Sequence, residues 1–404
     1  MTTSENPPGR GPHRARGSAE VLKWLEPLLP ALGITRLGDL TGLDRIGLPV
    51  ASACRPLSKS LSVSQGKGWT REGAKLAAIF EAAECFHAEN IDAALRLGSW
   101  NELRGRLDTV DPSRLAAVSV STYHPDWKML WIEGRELLSD RVIWLPYELV
   151  HLDFTIPLPT GAGAFLTSSN GLGSGGSLDE AVRHAMCEVI ERDGVSILGL
   201  RDPKQRSRCR VAKSSIDDPD CRALLALLDR AEVDVAIWDA TSDIGVPTFH
   251  VKLVDRFDDS LSSGGPAVGK GCHPDAALAL GSALAEAIQV RLTIISGARE
   301  DAVDRVYSFR DAVPEIRLEV KQPAPRRFAD IRGNRSASTR EDIEWTLARL
   351  RGVGLEQVIV VDLTKRELGI PVVRVVIPGC ESLDEAPGYV PGPRARKLLV
   401  EARP

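Results

Sequence analysis

A glycine-rich loop that runs directly into an acidic helix is the feature that most restricts how this chain can fold. Residues 168–194 read SSNGLGSGGSLDEAVRHAMCEVIERDG, and Gly171, Gly173 and Gly176 fit the pattern G-x-G-x-x-G. A dinucleotide-binding fold needs its acidic residue at the end of the next strand, whereas Glu191 lies on the helix that this loop opens. No Lys-Ser or Lys-Thr pair follows the glycines. The segment therefore argues against a Rossmann site and against a Walker phosphate loop.

The predicted helix carries its acidic residues on one face. At about 100° per residue, Glu180, His184, Glu188 and Glu191 fall within about 80° of one another. One interpretation is a solvated acidic surface, with Glu180 and Ser177 forming a capping box. The other is a cation-binding face, because neighbouring carboxylates repel one another unless a positive charge lies among them.

Two other segments repeat the plan of a polar glycine loop followed by a helix with polar side chains. SLSVSQGKGW contains Gln65 and Lys67 and precedes a helix predicted over 70–89, which carries Glu81 and Glu84. GKGCHPD precedes a helix predicted over 274–298, whose polar side chains are Glu286, Gln289 and Arg291. If such helices face one another, their carboxylate oxygens suit Mg²⁺, and the metal can bridge to the phosphates of a nucleotide.

The remaining pattern predicts an α+β fold with mixed sheets. Runs such as VDVAIWDA, TFHVKLV and PVVRVVI have the β-branched composition of strands. We expect a disordered tail over 1–19, an N-terminal helical segment over 20–44 and one large domain over 45–404. Segments 237–254 and 360–377 share the order strand, Asp-x-Thr, turn, Gly-aliphatic-Pro, strand, and are either a repeated unit or two similar hairpins.

Charge and composition exclude several classes of partner. The 51 basic and 55 acidic side chains give a formal charge of −4, which offers no general attraction for nucleic acid or anionic membranes. We recognise no secretion signal and no apolar run near the about 20 residues that span a bilayer. Seven scattered cysteines suit a reducing compartment. We therefore expect a cytoplasmic protein that binds neither nucleic acid nor membrane.

Three groups of reactive side chains receive structural interpretations. His184 and Glu188 lie on one helix face, but no second His or Cys at ligand spacing supports zinc. Cys187 lies off the glutamate face and is expected in the core. Cys272 and His273 are adjacent, as in some nucleophilic pairs, but no third partner is visible, so a structural role is expected.

Three motifs resemble, in this order, the YcaO family of ATP-dependent enzymes that modify peptide backbones. They are SQGKG…EAAE, TSSNGLGSGGSLDEAVRHAMCEVIER and HPDAALALGSALAEAIQVRLTIISGARED, and the likeness covers residues 45–380. SLSVSQGKG, HAEN and ISGARED are most similar to the stand-alone branch, which includes proteins encoded beside TfuA and the bottromycin-type enzymes. The resemblance implies a YcaO-type ATP-binding fold, in which Mg²⁺ is held by glutamates from the motif-bearing helices.

The resemblance also implies roles for individual residues. The implied metal ligands are Glu81, Glu84, Glu180, Glu188 and Glu191. The implied contacts to ATP are Gln65, Lys67, Asn170, Ser174, Arg192, Glu286, Gln289 and Arg291. The residues implied in catalysis are Glu188, Glu191, Arg192 and Arg291. Many relatives have Gly-Asn-Thr where this chain has Gly175-Gly176-Ser177, so an asparagine contact is missing or is replaced by backbone.

The implied reaction is activation of a backbone amide. A nucleophile attacks the carbonyl, ATP phosphorylates the oxygen, and phosphate departs, leaving a thioamide, azoline or amidine according to the nucleophile. The Pro-x-Pro-x-Pro end of many azoline-forming relatives is absent, which weakens a typical cyclodehydratase assignment. The implied partners are a precursor peptide or protein and a recognition protein, such as a TfuA-like one; a homodimer is one open option. The alternative is a non-catalytic scaffold or nucleotide-binding regulator that recruits a maturation partner.

Overall fold

The computed structural model describes residues 18–121, 123–257, 265–300, 312–382 and 388–401. Of the predicted tail, residues 1–17 lie outside these ranges, while Ser18 and Ala19 already belong to the first helix. The α-helices in the described ranges are α1 (Ser18–Leu25), α2 (Arg71–Glu89), α3 (Trp100–Leu103), α4 (Leu178–Leu200), α5 (Pro203–Arg208), α6 (Pro219–Arg230), α7 (Ala276–Ser296), α8 (Val313–Lys321), α9 (Thr339–Gly352) and α10 (Pro393–Glu401).

The strands form antiparallel sheets between these helices, so the α+β prediction is confirmed. The first sheet has the order β1 (Arg36–Asp39), β2 (Val50–Cys54), β3 (Val63–Lys67). The second has the order β10 (Ala267–Cys272), β9 (Thr248–Asp255), β8 (Val233–Asp239). The largest has the order β4 (Leu95–Gly98), β5 (Met129–Glu136), β11 (Ile359–Asp362), β12 (Val372–Val376), β7 (Leu172–Ser174), and β6 (Val142–Pro146) pairs with β5.

Each motif helix directly follows and covers a glycine-bearing strand: α2 covers β3, α4 covers β7 and α7 covers β10. A Cβ atom at Gly66 would lie 2.1 Å from the backbone nitrogen of Ala78, and one at Gly269 would lie 2.1 Å from the carbonyl oxygen of Ala283. Only glycine allows a helix backbone to approach a strand so closely. These glycines therefore serve helix–strand packing, a role that the sequence interpretation did not include.

Polar caps set where the three motif helices begin. Thr70 Oγ1 accepts a hydrogen bond from the Gly73 amide, and Ser177 Oγ accepts one from the Glu180 amide. At α7, the carboxylate of Asp275 accepts from the Ala277 amide. Each cap satisfies an N–H group that lacks a partner within its helix. Because each residue adds about 100° around the axis, the residue at which a helix begins determines which of its side chains face the space between the helices.

The two similar segments noted in the sequence are the hairpins β8–β9 and β11–β12. In each hairpin the second strand pairs with a glycine-bearing strand: β9 pairs with β10 in one sheet, and β12 pairs with β7 in the other. Their equivalent positions favour the repeated-unit interpretation. The N-terminal segment supplies β1, which pairs with β2 in the first sheet and brings Gly38 opposite Ser52.

Helix α7 is long and apolar enough, by length and composition alone, to cross a membrane. The sequence analysis missed this run. In the structure α7 packs against β10, β9 and α6, and Leu280, Leu284 and Ile288 are fully buried. Packing within the protein therefore accounts for its apolar surface.

Candidate active site between three helices

A cavity of about 1750 Å³ lies between α2, α4 and α7, and α1 contributes to its wall. This volume exceeds the about 300–1,000 Å³ that is usual for a small-molecule pocket. The predicted site residues that line it are Gln65, Lys67, Glu81, Glu84, Ser174, Glu180, Glu188, Glu191, Arg192, Glu286 and Gln289. The three separate motifs therefore meet in one space.

Helix α2 presents Glu81 and Glu84, and hydrogen bonds from neighbouring elements hold both carboxylates. Glu81 Oε2 accepts from the Gln65 amide on β3 at 2.8 Å. Glu84 Oε1 accepts from the Ser174 hydroxyl at the end of β7 at 2.7 Å. Because one donor comes from each adjacent strand, these two glutamates occupy the junction of the first and largest sheets.

Helix α4 adds Glu188 and Glu191, with Arg192 beside them. Nη2 of Arg192 lies 3.4 Å from Glu188 Oε1, and Nη1 lies 3.1 Å from Glu191 Oε1. Burial lowers the pKa of Arg192, but attraction to these carboxylates more than offsets it and raises the pKa above its usual value. Arg192 is therefore a fixed cation between the two glutamates.

Helix α7 completes the cavity wall, and its polar side chains contact β3. Glu286 Oε2 on α7 lies 3.7 Å from Lys67 Nζ at the end of β3. Gln289 donates to the Gln65 carbonyl at 3.5 Å, and the Thr293 hydroxyl bonds to the Gln65 side chain. These contacts fasten α7 to the strand that supplies Gln65 and Lys67.

Glu180 stands apart from the other predicted metal ligands. It lies two turns before Glu188, about 12 Å along the helix axis at 1.5 Å per residue. Its carboxylate accepts from the Gly176 amide at 2.9 Å, and a Cβ at Gly176 would lie 3.3 Å from the same oxygen. Backbone thus contacts Glu180 at the position where the resemblance implied an asparagine.

Burial and mutual repulsion raise the pKa values of the carboxylates at the centre of the cavity. Burial raises the pKa of Glu84 to about 8, and repulsion from Glu188 and Glu81 adds to it despite the Ser174 hydrogen bond. Burial, opposed by Arg192 and reinforced by Glu286 and Glu188, raises the pKa of Glu191 to about 7. Burial also raises the pKa values of Glu81 and Glu188. The cluster therefore favours either protons or an added cation.

Metal-free protein should lose stability as pH rises from about 7 to about 8.5. Folded Glu84 keeps its proton until about pH 8, whereas an unfolded glutamate loses its proton near 4.5. The protonated carboxyl therefore favours the folded state fully below about pH 4.5, and this advantage falls steadily until the folded group itself ionises near pH 8, by on the order of 1 kcal/mol between pH 7 and 8.5. Denaturant unfolding in EDTA should show the decline, and Glu84→Gln should flatten it. Equal slopes in the two proteins would contradict this assignment.

Arg291 was predicted to contact the nucleotide, and the structure does not place it in the cavity wall. Its side chain is 0% exposed and pairs with Asp44 at 2.7 Å and with Asp255 at 2.9 Å. The cause is helical geometry, because Arg291 is about 200° around α7 from Gln289. The prediction for Arg291 is therefore corrected: it ties α7 to the segment before β2 and to the end of β9.

Arg291→Met should lower the free energy of unfolding by about 3 kcal/mol, because it leaves two buried aspartates without their cation. The affinity of the folded protein for Mg²⁺·ATP should stay within about threefold, since the site is not touched. Denaturant unfolding and calorimetric titration measure the two quantities. Arg340→Met, which removes an exposed partner of Asp179, is the matched control and should leave stability unchanged. A large loss of affinity in folded Arg291→Met would restore the nucleotide role.

Asn170 was also predicted to contact the nucleotide, but it is not among the residues that line the cavity. Its backbone amide bonds to Ser168 Oγ at 3.3 Å in the turn before β7, where Gly171 has a φ of 81°. Its side-chain Oδ1 is buried without a hydrogen-bond partner among the described residues. Ser168 and Ser169 line the cavity where Asn170 was expected.

Two basic residues, one in the cavity wall and one buried beside Glu188, were not predicted from the sequence. Lys270 on β10 is buried, lines the cavity and attracts Glu191. Its signal was available, since GKG occurs at both Lys67 and Lys270. Arg374 on β12 is buried near Glu188 and donates to the Ser168 carbonyl at 2.7 Å. Burial lowers the pKa of Arg374 to about 10, and attraction to Glu188 opposes this shift.

The groups that were given structural interpretations also lie at this cavity. Cys187 and Cys272 are buried in its wall as free thiols. His273 Nε2 lies 3.1 Å from Nη1 of Arg183, which also pairs with buried Asp342 at 3.3 Å. Within the described part of the chain, no three His, Cys, Asp or Glu side chains are close enough to form a metal site by themselves.

Known proteins match most of this chain in sequence. Residues 65–381 match the family described as YcaO cyclodehydratase, ATP- and Mg²⁺-binding. The chain is 34% identical to an uncharacterised protein in the tfuA 3′ region of Rhizobium leguminosarum bv. trifolii, over 91% of this chain and 88% of that protein. It is 35% identical to an uncharacterised protein of Methanothermobacter thermautotrophicus, over 94% and 98%.

Solved structures share the fold at lower identity. YcaO from Methanopyrus kandleri, bound with AMPPCP and Mg²⁺, superposes with a TM-score of 0.71 at 23% identity, over 93% of this chain and 95% of that one. A heterocyclase in complex with substrate and cofactor superposes with a TM-score of 0.80 at 22% identity, over 96% of this chain and 55% of the heterocyclase. With the family match across most of its length, this chain belongs to the YcaO family of ATP- and Mg²⁺-binding proteins.

Proposed function

We propose that this protein activates a backbone amide of a peptide or protein substrate at the expense of ATP. The observation that supports this most strongly is the convergence of Glu81, Glu84, Glu188, Glu191 and Arg192 on one large cavity. The cavity exceeds the size of a usual small-molecule pocket, which suits a nucleotide together with a segment of peptide. Membership of a family described as YcaO cyclodehydratase, ATP- and Mg²⁺-binding, supports the same proposal.

The carboxylate cluster suits Mg²⁺ that is shared with the phosphates of a nucleotide, because no three such side chains of the described residues are close enough to bind the ion alone and Mg²⁺ usually takes one or two carboxylates plus substrate phosphates. Carboxylate oxygens are the donors that this ion prefers, and a divalent cation would offset the burial and the repulsion that raise the pKa values of Glu84 and Glu191. Glu81, Glu84, Glu188 and Glu191 would hold the metal. When bound, Mg²⁺ neutralises phosphate charge and makes the γ-phosphoryl group easier to transfer.

The basic residues of the cavity supply fixed positive charge for the reaction. Arg192 is held between Glu188 and Glu191, so its guanidinium is in place before the ligand arrives. Lys67 and Lys270 flank the same space on β3 and β10. In the proposed reaction a nucleophile adds to the amide carbon, the amide oxygen accepts the γ-phosphoryl group, and the C–O bond then breaks to release phosphate.

We propose a thioamide as the product and a TfuA-like protein as the partner. Similarity to a protein in a tfuA 3′ region supports both. In this case the nucleophile is a sulfide equivalent, delivered with the help of the partner. The site itself would only activate the amide, so that the identity of the nucleophile decides between a thioamide, an azoline and an amidine.

Intact mass after incubation with Mg²⁺·ATP tests the proposal. The substrates to try are peptides and proteins encoded near the gene, with and without sulfide and the neighbouring TfuA-like protein. A gain of about 16 Da indicates replacement of oxygen by sulfur, and a loss of about 18 Da indicates cyclisation with loss of water. Mg²⁺·ATP binding without any mass change in the complete mixture would favour the scaffold or regulator alternative.

A further inference from the structure

Two neighbouring loops expose large apolar side chains beside the cavity. Leu57 in the loop between β2 and β3 is 94% exposed. In the loop that follows Leu152, Phe154 is 45%, Ile156 91% and Leu158 53% exposed. We call these four residues the apolar rim. Single exposed apolar residues are ordinary on protein surfaces, but a group of them on adjoining loops is typical of a binding surface.

Direct contacts hold the two loops together. The Phe154 amide donates to the Lys59 carbonyl at 3.1 Å, and Lys59 Nζ lies 2.9 Å from Asp153 Oδ2. Leu57 and Ile156 are each two residues from this bonded pair, a reach of at most about 7 Å along either chain. The apolar rim is therefore one local surface. Two charged residues of these loops, Lys59 and Asp153, form an ion pair with each other.

The apolar rim is continuous with the cavity. Phe154 lines the cavity as well as the surface, together with Leu61 and Leu152. The Leu152 amide donates to the Ala88 carbonyl at 2.9 Å, and Ala88 lies one turn beyond Glu84 on α2, about 6 Å along the axis. From Glu84, the path over Leu152 and Phe154 to Ile156 measures at most about 25 Å, or about seven residues of extended peptide.

We propose that the apolar rim binds an apolar segment of the substrate chain, within about seven residues of the amide that is modified. This inference rests on the proposed function, which places a peptide in the cavity. A nucleotide does not suit the surface, because the four side chains offer neither charge nor hydrogen bonds to phosphate or ribose. Peptide side chains such as Leu, Ile, Val and Phe do suit it, because binding removes apolar area of both the rim and the peptide from water.

A displayed library of random peptides tests the inference without knowledge of the natural substrate. Peptides of about 15 residues, which span about 50 Å when extended, are selected on the immobilised protein with Mg²⁺ and a non-hydrolysable ATP analogue. The wild-type protein should enrich peptides that contain a cluster of Leu, Ile, Val or Phe. The double variant Leu57→Asp, Ile156→Asp should bind the enriched peptides at least tenfold more weakly and keep its affinity for Mg²⁺·ATP. Leu318→Asp, which alters another exposed leucine on α8, 66% exposed, is the matched control and should behave as wild type.

Enrichment of the same peptides by the wild type and the double variant would overturn the inference, and so would an absence of apolar enrichment. Size-exclusion chromatography with light scattering distinguishes a further possibility. If the wild type is a dimer and the double variant is a monomer with unchanged peptide selection, the surface joins two copies of the chain and the inference is wrong. The selection measures peptide binding and not catalysis. Peptide enrichment can therefore succeed when amide activation fails, and amide activation can be found when enrichment fails, so the two proposals are tested separately.

Discussion

Glu188→Gln and Glu191→Gln should each lower ATP turnover by on the order of 10³-fold while the protein stays folded. Each change removes one negative charge from a cluster in which burial and repulsion already raise the carboxylate pKa values. The metal-free protein should therefore be at least as stable as the wild type. Stabilisation by Mg²⁺ should shrink, because an amide oxygen is a weaker ligand than a carboxylate. Phosphate release and thermal unfolding with and without Mg²⁺ measure the two effects.

Glu72→Gln is the matched control for these variants. Glu72 lies on α2 with Glu81 and Glu84, but it is exposed and does not line the cavity. Its substitution should change neither turnover nor the Mg²⁺ effect. Turnover within tenfold of wild type in both Glu188→Gln and Glu191→Gln would show that these carboxylates do not serve the reaction. A loss of stability in metal-free protein would show instead that they are structural partners of Arg192.

Helical periodicity explains why much of the site could be predicted. Glu81 and Glu84 are three residues apart on α2, as are Glu188 and Glu191 on α4 and Glu286 and Gln289 on α7. Residues at this spacing share a face, and each helix starts near a cap that is visible in the sequence. The sequence therefore specified three polar faces. The prediction that these three faces meet in one site depended on the resemblance, because the spacing of residues within a helix does not show which distant segments come into contact.

The error at Arg291 came from treating a whole motif as part of the site, whereas the role of Asn170 stays a prediction. Arg291 lies about 200° around the helix from Gln289, so its own spacing contradicted the prediction. Lys270 and Arg374 were missed because each sits on a strand with buried residues on both sides, where a lone basic residue gives no periodic signal. Their positions near Glu191 and Glu188 follow from sheet pairing and helix packing.

The glycines of the motifs give the clearest difference between the sequence interpretation and the structure. They suggested a loop that approaches phosphate, and several of them instead lie under a helix. A Cβ at Gly173 would lie 2.5 Å from the carbonyl oxygen of Ala181, and one at Gly271 would lie 2.3 Å from that of Ala279. A strand glycine lies against the backbone of helix alanines in all three strand–helix pairs, β3–α2, β7–α4 and β10–α7. It brings each helix close enough to its strand for the carboxylates to reach one cavity.

Gly66→Ala should destabilise the protein by about 5 kcal/mol or more, because the added methyl group would overlap the backbone of α2. The new Cβ would lie 2.1 Å from the Ala78 nitrogen, 2.3 Å from the Ala74 oxygen and 2.6 Å from the Ala77 carbon. All three are backbone atoms, so no side-chain rotation relieves the overlap and α2 must move away from β3. That movement would displace Glu81 from the Gln65 amide. Most of the variant should therefore be recovered unfolded or aggregated, and any folded fraction should bind Mg²⁺·ATP weakly.

Gly352→Ala separates this packing effect from the general cost of replacing glycine. Gly352 ends α9, and a Cβ there would meet nothing within 4 Å. Because alanine is the better helix former, this variant should be as stable as wild type or more stable by up to about 1 kcal/mol. Denaturant unfolding and yield of soluble protein compare the two variants directly. If Gly66→Ala folds with near wild-type stability, α2 does not lie on β3 as closely as the structure places it, and the position of Glu81 and Glu84 beside α4 would need to be revised.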